Sequence, residues 1–117
     1  MTLPPAPPQA TITAKQLAAM VDPPQQPTAE DHAALKRLIA HAQGDTHQSR
    51  RVADFLLAWW NSAECGAFDL TSLWAVDSAI VGDMVTVFGL IAKAHRYPDT
   101  LGYDVDFKAI MRHWRPR

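Results

Sequence analysis

Between Val52 and Trp60 the apolar residues fall on two neighbouring stripes of one α-helix. Val52, Phe55, Leu56 and Trp59 form the first, and Ala53, Leu57 and Trp60 the second. Adjacent Trp59 and Trp60 project about 100° apart on a helix, so both are covered only if two neighbours flank the segment. A helix with an apolar surface this wide belongs inside a helical assembly. One of the two tryptophans is otherwise left as an anchor for a partner. This segment constrains the chain more than any other.

Further helical stripes surround it. Pro27 precedes Thr28, which is placed to cap the Asp31 amide, and Glu30 and Asp31 sit where the helix dipole favours acids. Leu35, Leu38, Ile39 and Ala42 then keep the i, i+3, i+4, i+7 spacing, and Gly44 ends this first helix. The Trp-rich helix runs from about His47 to Ala63, with Gly66 as its stop. Phe68 to Val76 is less regular. Asp69, Thr71 or Ser72 can each cap a single turn carrying Leu73 and Trp74. Asp77 reads as the cap of a third long helix, Ser78 to about His95. Its expected inner stripe is Ile80, Met84, Val87, Phe88 and Ile91, widened by Val81, Val85 and Leu90, so it is expected to be largely buried. Gly82 and Gly89 share a face, and permit a close helix approach or are a tolerated weakness. Tyr97-Pro98-Asp99 breaks the chain. A last helix, about Asp104 to Trp114, carries Phe107, Ile110, Met111 and Trp114. No stretch alternates as a strand does. The fold class is all-α: a small helical bundle of about four main helices over residues 28–117.

Seven of the nine prolines lie in the first 27 residues, which therefore form a Pro-rich extended arm. Within it, Thr13 and Gln16 match a capping box, and Leu17, Met20 and Val21 share a helical face. Residues 13–21 read as a short docking helix or as a weakly structured tail, since isolated helices this short are marginal.

Chemistry-bearing patterns are sparse. Cys65 is the one cysteine, so an intrachain disulfide is excluded. Its place at a helix C-terminus opposes thiolate formation, and a structural thiol is expected. His32, His41, His47, His95 and His113 include no i, i+4 pair, and there is no Cys-x-x-Cys clip, so no metal is expected. Asp54 lies in the most apolar helix, where a local ion pair with Arg50 or Arg51 on an exposed strip accounts for it. Asp77 reads as a cap and Asp83 as a solvated helix position. There is no phosphate loop or nucleophile elbow, and no cofactor is expected. No secretory signal or membrane span is visible, which makes a cytoplasmic location the default expectation.

The net charge of −1 conceals a polarity. Residues 61–106 carry seven acids against Lys93 and Arg96, whereas residues 108–117 carry Lys108, Arg112, Arg115 and Arg117 and no acid. With Arg50 and Arg51, these cations are a candidate phosphate-binding set. The dipole at a helix C-terminus explains the last four equally well.

The run Arg51-Val52-Ala53-Asp54-Phe55-Leu56-Leu57-Ala58-Trp59-Trp60-Asn61 resembles small uncharacterised bacterial proteins associated with mobile elements such as plasmids. So do Phe68-Asp69-Leu70-Thr71 with Leu73-Trp74 and Asp77, then Tyr97-Pro98-Asp99 and Leu101-Gly102-Tyr103. The resemblance covers about Arg51 to Trp114. It implies a bacterial host, a cytoplasmic location and an accessory role in mobile-element biology, and it carries no site residues. The expected function is therefore a non-enzymatic protein-interaction module, an accessory or inhibitory factor of a mobile element, with another protein or a second copy of the chain as partner. Trp59, Trp60, Trp74, Leu17 and Met20 are its candidate partner-binding residues. The alternative is a nucleic-acid-binding regulator using Arg50, Arg51, Lys108, Arg112, Arg115 and Arg117. A third reading, an enzyme with a site around Asp54, Asp77 and Trp74, lacks any supporting motif.

Overall fold

Asp31 begins the fold by doing two things at once. In a computed structural model, which describes residues 13–15 and 23–116, helix α1 spans Ala29–Ala42. The Thr28 hydroxyl accepts from the Asp31 amide at 3.1 Å, and the Asp31 carboxylate accepts from the Thr28 amide at 2.9 Å. This closed capping box satisfies two backbone donors that a helix start leaves open. Asp31 is also buried, and its carboxylate forms an ion pair with Lys93 Nζ at 2.5 Å. The Gln25 amide donates to the Lys93 carbonyl at 2.8 Å, so the segment leading into α1 is tied to the end of a distant helix.

Helix α2 spans His47–Cys65, capped by the Thr46 hydroxyl on the Ser49 amide. Gly44 precedes it where an added Cβ would stand 2.7 Å from Ser49 Oγ. The helix is broken at Asn61, whose φ of −160° and ψ of 80° are not helical. The Asn61 side chain accepts from the Glu64 amide at 3.2 Å and so caps the final turn. A short side chain competing with the helical ladder is the physical cause of the break. Gly66, at φ 97° and ψ 160°, ends the helix in a conformation that only glycine adopts readily.

A 3-10 turn, Leu70–Ala75, follows, started by the Asp69 carboxylate on the Thr71 amide. Helix α3 spans Ser78–Ala94, a second 3-10 turn spans Pro98–Leu101, and helix α4 spans Asp104–Trp114. The all-α class and the four main helices hold. The described residues include no strand. Residues 16–22, with Leu17 and Met20, and Arg117 lie outside the described residues, and so does most of the expected helix over residues 13–21.

The helix that meets all the others is α1, not the Trp-rich α2. It packs on α2, α3 and α4 and contributes Ala34, Leu35, Leu38, Ile39 and Ala42 to the core. Helix α2 is touched on two sides, by α1 and α4, as its double stripe requires. Val52, Ala53, Leu56 and Leu57 are fully buried there. Burying each leucine contributes about 1.5–3 kcal/mol. Helices α2 and α3 both lean on α1 and scarcely meet each other.

That arrangement corrects the reading of α3. Its buried line is Ile80, Met84, Val87, Leu90 and Ala94, while Phe88 is 63% and Val85 62% exposed. With α1 as its main support, α3 buries one stripe and presents the other outward. Gly82 and Gly89 face open space, with no atom within 4 Å of an added Cβ, so they mediate no close approach. Asp77 stands at the start of α3 but its carboxylate makes no cap. It accepts from Gln48 Nε2 at 3.2 Å instead, while the Asp77 amide donates to Gln48 Oε1 at 2.7 Å. Asp83 is not simply solvated. It forms a bidentate pair with Arg37, both contacts at 2.9 Å.

Candidate functional site

The outward stripe of α3 is one wall of a groove. Val85, Phe88 and Met84 line it from α3, Phe55 faces them from α2, and Phe68, Leu70 and Leu73 close it from the 3-10 region. Its volume is about 180 Å³ and its lining is almost wholly apolar. Phe55 and Phe68 meet edge to face at 5.4 Å, which holds the floor in place. Leu70 is 69% exposed at the rim, and Trp74, in the same turn, is 86% exposed. The groove exists because α2 and α3 diverge over α1 and a six-residue turn is too short to cover the gap. Large apolar side chains gathered at one exposed place mark interaction surfaces more often than chance exposure does. Trp74 is thus the expected partner-binding residue nearest the groove in the chain. Phe88 was assigned to the core by its helical register, and its exposure follows from what α3 does not pack against.

The other two tryptophans of that set are placed differently. Trp59 and Trp60 both meet Phe107 of α4 edge to face, at 5.8 and 6.2 Å. Trp59 Nε1 donates to the Arg96 carbonyl at 3.1 Å. Both indoles remain half-buried, and they line a cleft of about 460 Å³ with Asn61, Tyr97 and Asp99. Trp114 lies outside that lining and is held by a bond from its Nε1 to the Ala42 carbonyl at 2.6 Å.

The basic residues are mostly engaged with the protein itself. Arg115 Nη2 lies 2.5 Å from Asp54, and Arg115 Nε donates to the Cys65 carbonyl at 3.0 Å. Asp54 therefore pairs across the fold with α4's end, not locally with Arg50 or Arg51. Lys108 pairs with Asp104 one turn earlier at 3.0 Å, and Arg51 bonds to the His47 ring. Arg50 and Arg112 are exposed and make no ion pair or side-chain hydrogen bond among the described residues. His47, Arg50, Arg51 and Asp54 line a small cavity of about 240 Å³.

Titration shifts follow these pairs. Burial pushes the Asp31 carboxyl up, but the Lys93 ammonium and the Thr28 amide and hydroxyl outweigh it and hold it below the ordinary range. Arg37 holds Asp83 down against its burial. The Thr71 hydroxyl and amide do the same for exposed Asp69. Burial, with Asp106 nearby, pushes the Tyr103 phenol up, while its hydroxyl lies 2.6 Å from His32 Nδ1. These groups brace the bundle and do not converge on a cavity. Among the described residues no group of three His, Cys, Asp or Glu side chains is placed to hold a metal ion. No helix among them is long and apolar enough to cross a membrane. Cys65 is buried.

Set against known proteins, residues 32–115 match the family described as a family of unknown function, DUF7673. No curated protein and no solved structure matches the chain.

Proposed function

The chain belongs to the DUF7673 family of unknown function, and from that premise we propose that it is a non-enzymatic protein-interaction module. The observation that carries this reading is the apolar groove between α2 and α3. Phe55, Phe68, Met84, Val85 and Phe88 supply an uninterrupted apolar lining, with exposed Leu70 at the rim. Its two walls are helices, and the space between them suits the apolar face of an amphipathic helix from another protein. Such a face docks through anchors at i, i+3, i+4 and i+7. Trp74, exposed in the same turn as Leu70 and Leu73, is the candidate aromatic anchor outside the lining, a role in which tryptophan is enriched.

The biological setting belongs to the same proposal. The likeness of residues 51–61, 68–77 and 97–103 to bacterial mobile-element proteins supports a cytoplasmic accessory or inhibitory factor of such an element. The partner is then a protein of the element or of its host.

Site-specific photocrosslinking in the native host tests the reading. A benzophenone amino acid at position 85 or 70 places the reactive group in the groove; one at Lys36, exposed on α1, serves as the control. The proposal expects one protein cross-linked from the groove positions and absent from the Lys36 control. No groove-specific protein product, with retention of a nucleic acid on the purified chain, would overturn it.

A further inference from the structure

The Trp59–Trp60 cleft lies apart from the apolar groove in its lining and has a different chemistry. Four features of the cleft favour positive charge. Trp60 and Trp59 line it, both half-buried, and the face of an indole carries the negative part of the ring quadrupole. Tyr97, 61% exposed, adds a third aromatic ring. The Asp99 carboxylate lies on the same lining and makes no ion pair or side-chain hydrogen bond among the described residues. Finally, the break at Asn61 divides α2 at the cleft. The first part of the helix therefore ends there, and the carbonyl end of a helix favours cations. Arg96 is not part of the lining, and its guanidinium is turned to Thr100, bonding through Nε to the hydroxyl and through Nη2 to the carbonyl.

We propose that this cleft binds a small organic cation, an alkylammonium or guanidinium compound, between Trp60, Tyr97 and Asp99. The volume of about 460 Å³ falls within the range of small-molecule sites. The aromatic faces favour the charge without hydrogen bonds, and Asp99 supplies the counter-charge. Trp59, fixed by its bond to the Arg96 carbonyl, and Trp60, braced on Phe107, are already held in place. Binding therefore orders few side chains, which lowers its entropic cost.

The test is nuclear magnetic resonance of the full chain, read at the tryptophan indole N–H signals. Choline and arginine amide are titrated at constant ionic strength. 3,3-Dimethylbutan-1-ol serves as the uncharged isostere of choline. The proposal expects saturable movement of the Trp60 and Trp59 signals with at least one cation. The Trp114 signal, from outside the cleft, stays still, and the neutral isostere gives no saturable movement. Tyr97→Leu and Asp99→Asn each weaken binding about two- to five-fold, the range for an exposed cation–π contact and an exposed ion pair. Both residues are exposed, so melting temperatures stay near that of the parent chain and separate lost binding from lost folding. Equal response to choline and its isostere, no saturable response to either cation, or unaltered binding in both variants would overturn the proposal.

Discussion

The ring of Phe107 on α4 meets the ring of Trp59 on α2 edge to face, with centroids 5.8 Å apart. The same phenyl ring meets Trp60 at 6.2 Å. One fully buried side chain thus braces both adjacent tryptophans, which stay half-buried. Phe107→Ala removes the support of both indoles and leaves a cavity. It is expected to cost about 3–5 kcal/mol, the usual range for a core phenylalanine. Chemical denaturation with tryptophan fluorescence checks this. A loss under 1 kcal/mol would mean that Phe107 does not brace the indoles.

The Asp54–Arg115 pair joins α2 to the residue just past α4. Both side chains are about a third exposed, so the pair itself contributes no more than about 1 kcal/mol. A double-mutant cycle should find coupling between Asp54 and Arg115, and none between Asp54 and Arg50. Coupling to Arg50 would restore the local pairing that sequence spacing suggests.

The Asp31 carboxyl, depressed in the folded state, sets the acid response. A group with a lowered folded pKa adds stability that is present above its unfolded value, 3.8 for Asp31, and is lost as pH falls through the lower folded value. Asp83 acts in the same direction. Stability should therefore be level near neutrality and fall on acidification below about pH 4. In Asp31→Asn it should be lower at neutral pH and fall less with acid. Denaturation midpoints between pH 3 and pH 7 measure this. An equally steep acid loss in Asp31→Asn would remove Asp31 from the account.

Gly82 and Gly89 look outward from the interior of α3 with open space where a side chain would go. Replacing either with alanine should raise stability by about 0.5–1 kcal/mol, because alanine is the better helix former and nothing obstructs it. A decrease, seen as a lower melting temperature, would show that the glycines serve a contact the isolated chain does not make.

Much of the helical order was legible in the sequence because each helix carries its own local signal. Thr28 with Asp31, the stripe Leu35 to Ala42, Gly66 and the Phe107 stripe all act within a few residues of one another. What could not be read was which stripe meets which neighbour. Phe88 and Val85 fit a helical stripe on α3 as well as Leu90 does, and only the position of α1 decides between them. Asp54 had arginines at the right local spacing, yet its partner lies 61 residues away. The groove was illegible for the same reason, since it is a gap between two helices that share a third. Trp59, Trp60 and Trp74 were recognisable as candidates by their number and spacing. That Trp59 and Trp60 line a cleft, while Trp74 stands exposed in the turn Leu70–Ala75, depends on how that turn and Tyr97 are placed.

The central claim is that the groove between α2 and α3 receives a protein. Once the groove-specific cross-linked partner is identified, its affinity for Phe88→Ser measures that claim most directly. Phe88 is exposed, so the substitution should leave the melting temperature nearly unchanged. Binding should fall at least ten-fold, as for a central aromatic anchor worth about 2 kcal/mol or more. Unchanged affinity in a folded Phe88→Ser chain would contradict the account.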